Sequence, residues 1–240
     1  MKAMILAAGI GSRLRPLTDT RPKALIEING VTLLERTISG LKSFGIGEII
    51  INVHHFPELI TGFLKQKNYF DIRIEISAEP RLLDTGGGLR RAGWFFDDDQ
   101  PFLLHNVDVL TNLDYRELYD ELARKSALAV LAVRQRDTSR YFLFDGQNRL
   151  GGWQNVQNNE KIIACAEDKP LIPLSFMGIQ VLSPEIFNHM PRQSRFSMVD
   201  VYLQAAKAGQ PVYGLDCGAY NWLDVGKPES LKKAQDFIGY

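Results

Sequence analysis

The sequence predicts an α/β fold: one domain over residues 1–240, built on a mixed, mostly parallel sheet flanked by helices. Three observations predict it. Short apolar runs of strand length alternate with segments of helical periodicity through the first half. No linker, low-complexity stretch or fixed-period repeat divides the chain. And 240 residues, 45% of them hydrophobic and 23% charged, suffice for one well-buried core.

Residues 3–6 read as the first strand, followed by a loop over 8–20. Residues 32–44 place Leu33, Leu34, Thr37, Ile38 and Leu41 at helical spacing, and Gly45 and Gly47 end that helix. The next strand is 48–53, followed by a short helix over 57–64 with Pro57 at its start. Residues 72–76 alternate as a strand, 87–95 open a helix, 101–105 form a buried strand, 114–125 a helix and 127–133 a strand. In the less regular second half, strands over 141–144, 162–164 and 175–182 are separated by turns at Asp145-Gly146 and Gly151-Gly152. Residues 184–188 and 198–207 read as helical, 212–215 as extended and 228–237 as a closing helix. Antiparallel strands here are expected to extend the sheet and wall off a pocket.

Lys+Arg and Asp+Glu both number 28, so no global positive field points to nucleic acid. The apolar runs are far shorter than the roughly 20 residues needed to span a bilayer, so no membrane partner is expected. A Gly/Arg-rich loop follows the first strand at once, where a signal peptide would need a longer apolar region and a cleavage site. Cys165 and Cys217 lie far apart without CxxC spacing and read as free thiols, which suits a cytoplasmic protein.

The chemistry concentrates in Leu6-Ala7-Ala8-Gly9-Ile10-Gly11-Ser12-Arg13-Leu14-Arg15-Pro16-Leu17-Thr18. This loop follows a parallel strand, at the edge where open α/β sheets bind ligands. Its small residues let the backbone approach a ligand and aim N–H groups at phosphate oxygens. Arg13 and Arg15 add planar forks suited to two phosphate oxygens at once, and Lys23 brings another cation close in sequence. A Gly-x-Gly pair alone is explained equally by a tight turn. The dinucleotide fingerprint fails because Leu14 stands where a third glycine is needed, and the Walker loop fails for want of Gly-Lys-Ser/Thr.

The complete string, with Pro22-Lys23 after it, closely resembles the L-A-x-G-x-G-x-R-L-x-P-L-T…P-K signature of the sugar-nucleotide pyrophosphorylases, the sugar-1-phosphate nucleotidyltransferases. The resemblance implies a Rossmann-like nucleotidyltransferase fold of the GT-A type. It implies transfer of a nucleotidyl group from a nucleoside triphosphate to a sugar 1-phosphate, with release of pyrophosphate. The nucleotide would be bound by residues up to about 112 and the sugar by residues from about 113 onward. Leu6, Ala7, Ala8, Gly9 and Gly11 would wrap the nucleotide phosphates, Arg13 would stabilise the reacting phosphates and Lys23 would contact the sugar 1-phosphate. Arg15 falls at a variable position of the signature and reads equally as solvated.

Such a reaction joins two anions and needs positioning and charge neutralisation more than a covalent nucleophile. Mg²⁺ held by one or two carboxylates is the expected aid. By resemblance the metal ligands are Asp108, at the end of the apolar strand Leu103-Leu104-His105-Asn106-Val107, and Asp224 in Trp222-Leu223-Asp224-Val225-Gly226. Val107 departs from the family's glycine, which narrows the space for backbone approach but leaves the carboxylate. Asp97-Asp98-Asp99 reads as a solvated turn, and His54 and His55 as loop-stabilising or pocket-edge groups rather than a zinc site. Asn106, Gly178 and Asp168, the last in Glu167-Asp168-Lys169-Pro170, are the implied sugar contacts.

Glu79-Pro80-Arg81-Leu82-Leu83-Asp84-Thr85-Gly86-Gly87-Gly88 corresponds to the family's base-reading loop, with Glu79 on the base edge and Gly86 and Gly87 offering backbone. The T-G-G-G form is similar to N-acetylmuramate 1-phosphate uridylyltransferases and also to mannose or heptose 1-phosphate guanylyltransferases. Uridine is ranked slightly ahead of guanine. The sequence ends at Tyr240 without hexapeptide repeats, so no C-terminal β-helix is expected, and a homo-oligomer is compatible with it. Three rivals are weighed against this reading. A metal-dependent glycosyltransferase would show Asp-x-Asp where Asp108-Val109-Leu110 stands. A non-catalytic nucleotide-sugar binding protein would have lost one of the charges. A molybdenum-cofactor nucleotidyltransferase would not need the extended R-L-R-P-L-T string.

Overall fold

The computed structural model describes residues 1–165 and 170–237. The chain runs through β1 (Lys2–Leu6), the hairpin β2 (Glu27–Ile28) and β3 (Val31–Thr32), α1 (Leu33–Ser43), β4 (Glu48–Val53), α2 (Pro57–Gln66) and β5 (Arg73–Ala78). Then come α3 (Asp84–Arg91), β6 (Phe102–Asn106), β7 (Val109–Thr111), α4 (Arg116–Lys125) and β8 (Ala129–Arg134). The second half adds β9 (Arg140–Phe144), β10 (Leu150–Asn155), β11 (Glu160–Ile163), β12 (Ile172–Leu182), α5 (Met198–Lys207), β13 (Val212–Asp216), β14 (Trp222–Asp224) and α6 (Pro228–Gln235). Helix starts follow local chemistry: the Thr32 hydroxyl accepts from the Glu35 N–H at 3.0 Å, and Ser197 and Asp200 form a capping box.

The main sheet is mixed, with strands in the order β11-β10-β9-β12-β6-β1-β4-β5 and with β8 and β13 pairing beyond β12. Its centre is parallel: β6, β1, β4 and β5 run together, and β12 turns the pairing antiparallel toward β9, β10 and β11. The strands nearest β1 are apolar on both faces because both are covered. Ala3, Ile5, Ile49 and Ile51 point into a core closed by α1, α2 and α4. Met4, Ile50 and Leu104 point into a second core closed by α3 and α5. A third, smaller cluster of Leu14, Ile26, Ile28, Leu33, Leu110, Val225 and Ala234 ties the loop after β1 to α6.

Register decides where polar groups gather. Leu6 stands opposite Asn52 on β4 and opposite Asn106 on β6, so three strand ends meet at one carboxyl edge. The short pair β7 and β14 lies just past that edge, and Val225 N–H donates to the Asp108 carbonyl at 2.8 Å. That pair brings Asp224 to Asp108 from far along the chain.

Several local expectations change. Gly151 and Gly152, expected in a turn, lie inside β10, because the Leu171 side chain and the Ile162 carbonyl crowd their α-carbons. The aspartate run is exposed, as expected of a solvated turn, and two of its carboxylates tie it to buried Lys2, which pairs with Asp97 and with Asp98 at 3.3 Å. The glycine triplet Gly86-Gly87-Gly88 is the first turns of α3 and not an open loop. Each glycine admits a different neighbour. Phe196 lies over Gly86, the Ser194 carbonyl over Gly87, and the Glu79–Asn52 side-chain pair over Gly88.

A β-carbon on Gly86 would fall 2.5 Å from the buried Phe196 ring and 3.0 Å from the Phe196 carbonyl oxygen. Gly86→Ala is therefore expected to destabilise the fold by about 1–3 kcal/mol, the cost of overpacking. Denaturant or thermal unfolding measures this. An unchanged or raised midpoint, the usual result for Gly→Ala in an open helix, would contradict the close approach of Phe196.

Candidate active site

A cleft of about 410 Å³ opens at the carboxyl edge of β1, β4 and β6. Leu6, Ala7, Ala8, Gly9, Gly11, Ser12 and Arg13 form one wall, Glu79, Leu82, Asp84, Thr85 and Arg195 face them, and Lys23, Asn106 and Asp108 stand at one end.

The loop after β1 is held from below. Gly11 has φ +69° and its α-carbon is packed against Thr18 and Lys23, so glycine is required there by the protein itself. The Thr18 hydroxyl donates to the Gly11 carbonyl at 2.9 Å, and buried Leu14 anchors the following turn. Gly9 differs: a β-carbon there would meet nothing within 4 Å. Its bare backbone faces open cleft.

Beneath the loop runs a buried relay. The Ala7 N–H donates to Asn52 Oδ1 at 2.8 Å, Asn52 Nδ2 donates to Glu79 Oε1 at 2.7 Å, and Glu79 Oε2 accepts from the Leu83 N–H at 2.9 Å. Glu79 thus reaches the cleft wall with both carboxylate oxygens already engaged. His54 Nδ1 bonds the Glu79 carbonyl at 2.8 Å, the loop-stabilising part expected of it.

At the other end, Lys23 pairs directly with Asp108, both side chains largely buried. Asp224 sits beside them. Burial raises its pKa, the Asp108 charge raises it further, and Lys23, Arg13 and the Gly226 N–H oppose the rise. A β-carbon on Gly226 would fall 2.7 Å from Asp224 Oδ1 and 2.9 Å from Arg13 Nη2, so carboxylate and guanidinium flank the same bare backbone. Arg13, Lys23, Asp108 and Asp224 therefore form one cluster. Asp224 Oδ1 is buried with no hydrogen-bond partner among the described residues. An unmet buried oxygen beside a second carboxylate fits a divalent cation, since such an oxygen is costly unless paired. No group of three or more His, Cys, Asp or Glu suited to a metal occurs among the described residues. Two carboxylates leave positions for phosphate oxygens and water, the coordination Mg²⁺ prefers.

The strand that ends at Asn106 is fixed from within. His105 Nδ1 lies 2.8 Å from the Asn106 carbonyl, which can only accept, so Nδ1 carries the proton. Nε2 then accepts from the Tyr115 hydroxyl at 3.2 Å. Gly178, with φ +81°, packs against the Asn106 amide; a β-carbon there would fall 2.9 Å from Asn106 Nδ2. It supports Asn106 from outside the cleft lining.

Two expected nucleotide contacts are corrected. Gly86 and Gly87 do not line the cleft; both N–H groups donate to the Phe196 carbonyl, at 3.0 and 3.2 Å. Arg15 is exposed and pairs with Asp19 at 3.2 Å. Asp168 lies outside the described residues. Ser12, Asn52, Leu82, Asp84, Thr85 and Arg195 line the cleft without having been singled out from sequence. Asn52 did carry a signal, a lone amide near the end of an apolar strand. Arg195 carried none. Both cysteines are free, and no helix among the described residues is long and apolar enough to cross a membrane.

Known proteins bear on this geometry. The model of the Nucleotidyl transferase family matches residues 2–239. The chain is 31% identical over 248 residues to N-acetylmuramate alpha-1-phosphate uridylyltransferase of Neisseria meningitidis serogroup B, covering 100% of this chain and 99% of that protein. It is 27% identical to Mannose-1-phosphate guanyltransferase of Aspergillus oryzae over 96% of this chain, and spans only 62% of that relative's length. Among solved structures, HddC from Yersinia pseudotuberculosis complexed with GMP-PN shares the fold at TM-score 0.79 and 20% identity, over 98% of both chains.

Burial lowers the pKa of His105 from 6.5 to about 4, so the folded protein keeps it neutral where the unfolded chain protonates it. Its contribution is complete above pH 6.5 and is lost as pH falls toward 4, by about 3 kcal/mol in all. Urea unfolding between pH 4.5 and 7 is expected to show this slope, and His105→Asn to flatten it. Parallel pH profiles for the two proteins would contradict it.

Proposed function

The chain belongs to the nucleotidyl transferase family, and from that premise we propose that it transfers a nucleotidyl group from a nucleoside triphosphate to a sugar 1-phosphate, giving a nucleotide-sugar and pyrophosphate. One observation carries the proposal: Arg13, Lys23 and Asp108 line a cleft walled by a bare-backbone loop, and Asp224 lies against them from behind that lining. The triphosphate lies along Ala8–Gly11, where N–H groups and the open space over Gly9 let phosphate oxygens come close, while the Ala7 N–H stays with Asn52 beneath. Arg13 takes the charge that accumulates on the departing pyrophosphate. Lys23 holds the sugar phosphate in line, and Asp108 positions that ammonium by pairing with it.

A sugar-phosphate oxygen attacks the α-phosphorus, the new P–O bond forms, and the bond to the β-phosphate oxygen breaks. The ionised phosphate needs no general base. Asp108 and Asp224 would hold Mg²⁺, which when bound neutralises phosphate charge and favours the in-line arrangement. Asn106, braced by Gly178, bonds the sugar. Uracil is the base we favour, because N-acetylmuramate alpha-1-phosphate uridylyltransferase is a relative matched along essentially its whole length. Guanine is the alternative, favoured by the guanyltransferase relatives. With Glu79 fixed internally, Leu82, Asp84, Thr85 and Arg195 are left to read the base. The free thiols suit the cytoplasm.

A pyrophosphate-release assay over five nucleoside triphosphates and a panel of sugar 1-phosphates is expected to show Mg²⁺-dependent turnover, highest with UTP. Arg13→Ala and Asp108→Ala should each lower kcat at least about a hundredfold. No release with any pair would sink the enzymatic reading, and wild-type rates in both variants would move the site elsewhere.

Gly9→Ala separates ligand from fold. Because the protein itself leaves that space open, unfolding free energy should change by less than about 0.5 kcal/mol, while KM for the nucleotide rises. Equal loss of stability and affinity would show that Gly9 is needed for folding.

A further inference from the structure

Arg134 and Arg136 leave the sheet where β8 ends. β8 runs antiparallel to β12, which runs antiparallel to β6, so both arginines emerge at the carboxyl edge that carries the cleft. They share one aromatic ring: the guanidinium carbons lie 5.8 and 4.5 Å from the Trp222 centroid. Trp222 is itself locked by donation from Nε1 to the Met177 carbonyl at 2.7 Å, next to Gly178 and hence to Asn106. Arg136 Nε approaches the Ser175 hydroxyl at 3.5 Å, and Arg134 reaches the Tyr220 and Gly218 carbonyls at 3.5 Å.

Two like charges on one ring are unfavourable unless an anion joins them. Among the described residues neither arginine has a carboxylate within salt-bridge distance. Arg136 is felt by Asp224 and repelled by Arg134, and burial holds its pKa below the ordinary arginine value.

Position says which anion. Trp222 and Asp224 are alternate residues of β14, on the same face and roughly 7 Å apart. A cation over Trp222 thus stands about a sugar's length from the carboxylates that face the reacting phosphates. The phosphate end already has Arg13 and Lys23. We propose that Arg136, with Arg134 behind it, receives a carboxylate carried by the sugar, so that the preferred acceptor is an acidic sugar 1-phosphate. The stacked guanidinium keeps its fork in one plane, the geometry a carboxylate accepts with two oxygens. This rests on the nucleotidyl-transfer reading and deepens it.

Matched acceptors differing in one carboxylate test the assignment: glucose against glucuronic acid 1-phosphate, and N-acetylglucosamine 1-phosphate against its 3-O-lactyl ether, with glucose 1,6-bisphosphate as a second anion. The acid of at least one pair should have the higher kcat/KM. Arg136→Gln should raise its KM about ten- to a hundredfold, the loss of one charge-assisted hydrogen bond, with kcat and the neutral partner's KM held within about twofold. Arg136→Lys should fall between. Preference for the neutral member of both pairs, preference for the bisphosphate, or equal loss toward acid and neutral acceptors would each overturn the acidic-sugar assignment while leaving nucleotidyl transfer intact. Absence of pyrophosphate release with every acceptor would remove both.

Discussion

The cleft depends on one buried polar relay. Ala7, Asn52, Glu79 and Leu83 are joined by three hydrogen bonds that cross the ends of β1, β4 and β5 directly under the loop that faces the cleft. Asn52 is 3% and Glu79 4% exposed, so neither bond has water as a ready substitute. A buried carboxylate without such partners would cost several kcal/mol. With them it fixes the height of the Ala7 N–H and the entry to α3 together. Gly88 is part of the device, since a β-carbon there would strike Glu79 Oε1 at 2.6 Å and Asn52 Nδ2 at 2.7 Å. The sheet supplies parallel strand ends, and the relay sets them at matching heights.

This explains which parts of the site were legible in the sequence. The loop from Leu6 to Thr18 could be read because its demands are local: a strand end, a left-handed glycine at Gly11, a bare position at Gly9 and an apolar anchor at Leu14. The strands and helices of the first half were legible for the same reason, each carrying its own period. Gly86 and Gly87 were misread because composition states only that something comes close. It does not say whether a ligand or Phe196 is the visitor, and Phe196 arrives from the second half of the chain. Gly151 and Gly152 failed likewise, with Leu171 the close neighbour of the first and β11 of the second. The pair β7 and β14 has three residues in each strand, too few to show a period, yet it alone explains why Asp224 lies beside Asp108. Asp224 could be named from its surroundings in sequence, but its place could not.

The four charges at the end of the cleft are arranged so that none is satisfied independently. Lys23 neutralises Asp108, while Asp224 is left with a buried oxygen, a neighbouring carboxylate and a guanidinium beyond hydrogen-bond reach. Formally two negative and two positive groups cancel. Under the proposed function, a triphosphate then brings charge that the protein has not compensated in advance, and a cation accompanying it finds its counter-charges split between Asp108, Asp224 and the phosphates. Nucleotide and cation are therefore expected to enter as a unit, because either alone would leave the cluster unbalanced in a partly dry pocket. The arginine pair over Trp222 carries an excess of the opposite sign, two positive charges with no carboxylate within salt-bridge distance among the described residues and only Asp224 acting on Arg136 from farther off. One end of the acceptor site thus asks for the phosphate every sugar 1-phosphate carries, and the other asks for an anion that only some sugars possess. Selectivity on this arrangement comes from the second demand, since the first cannot tell one sugar 1-phosphate from another.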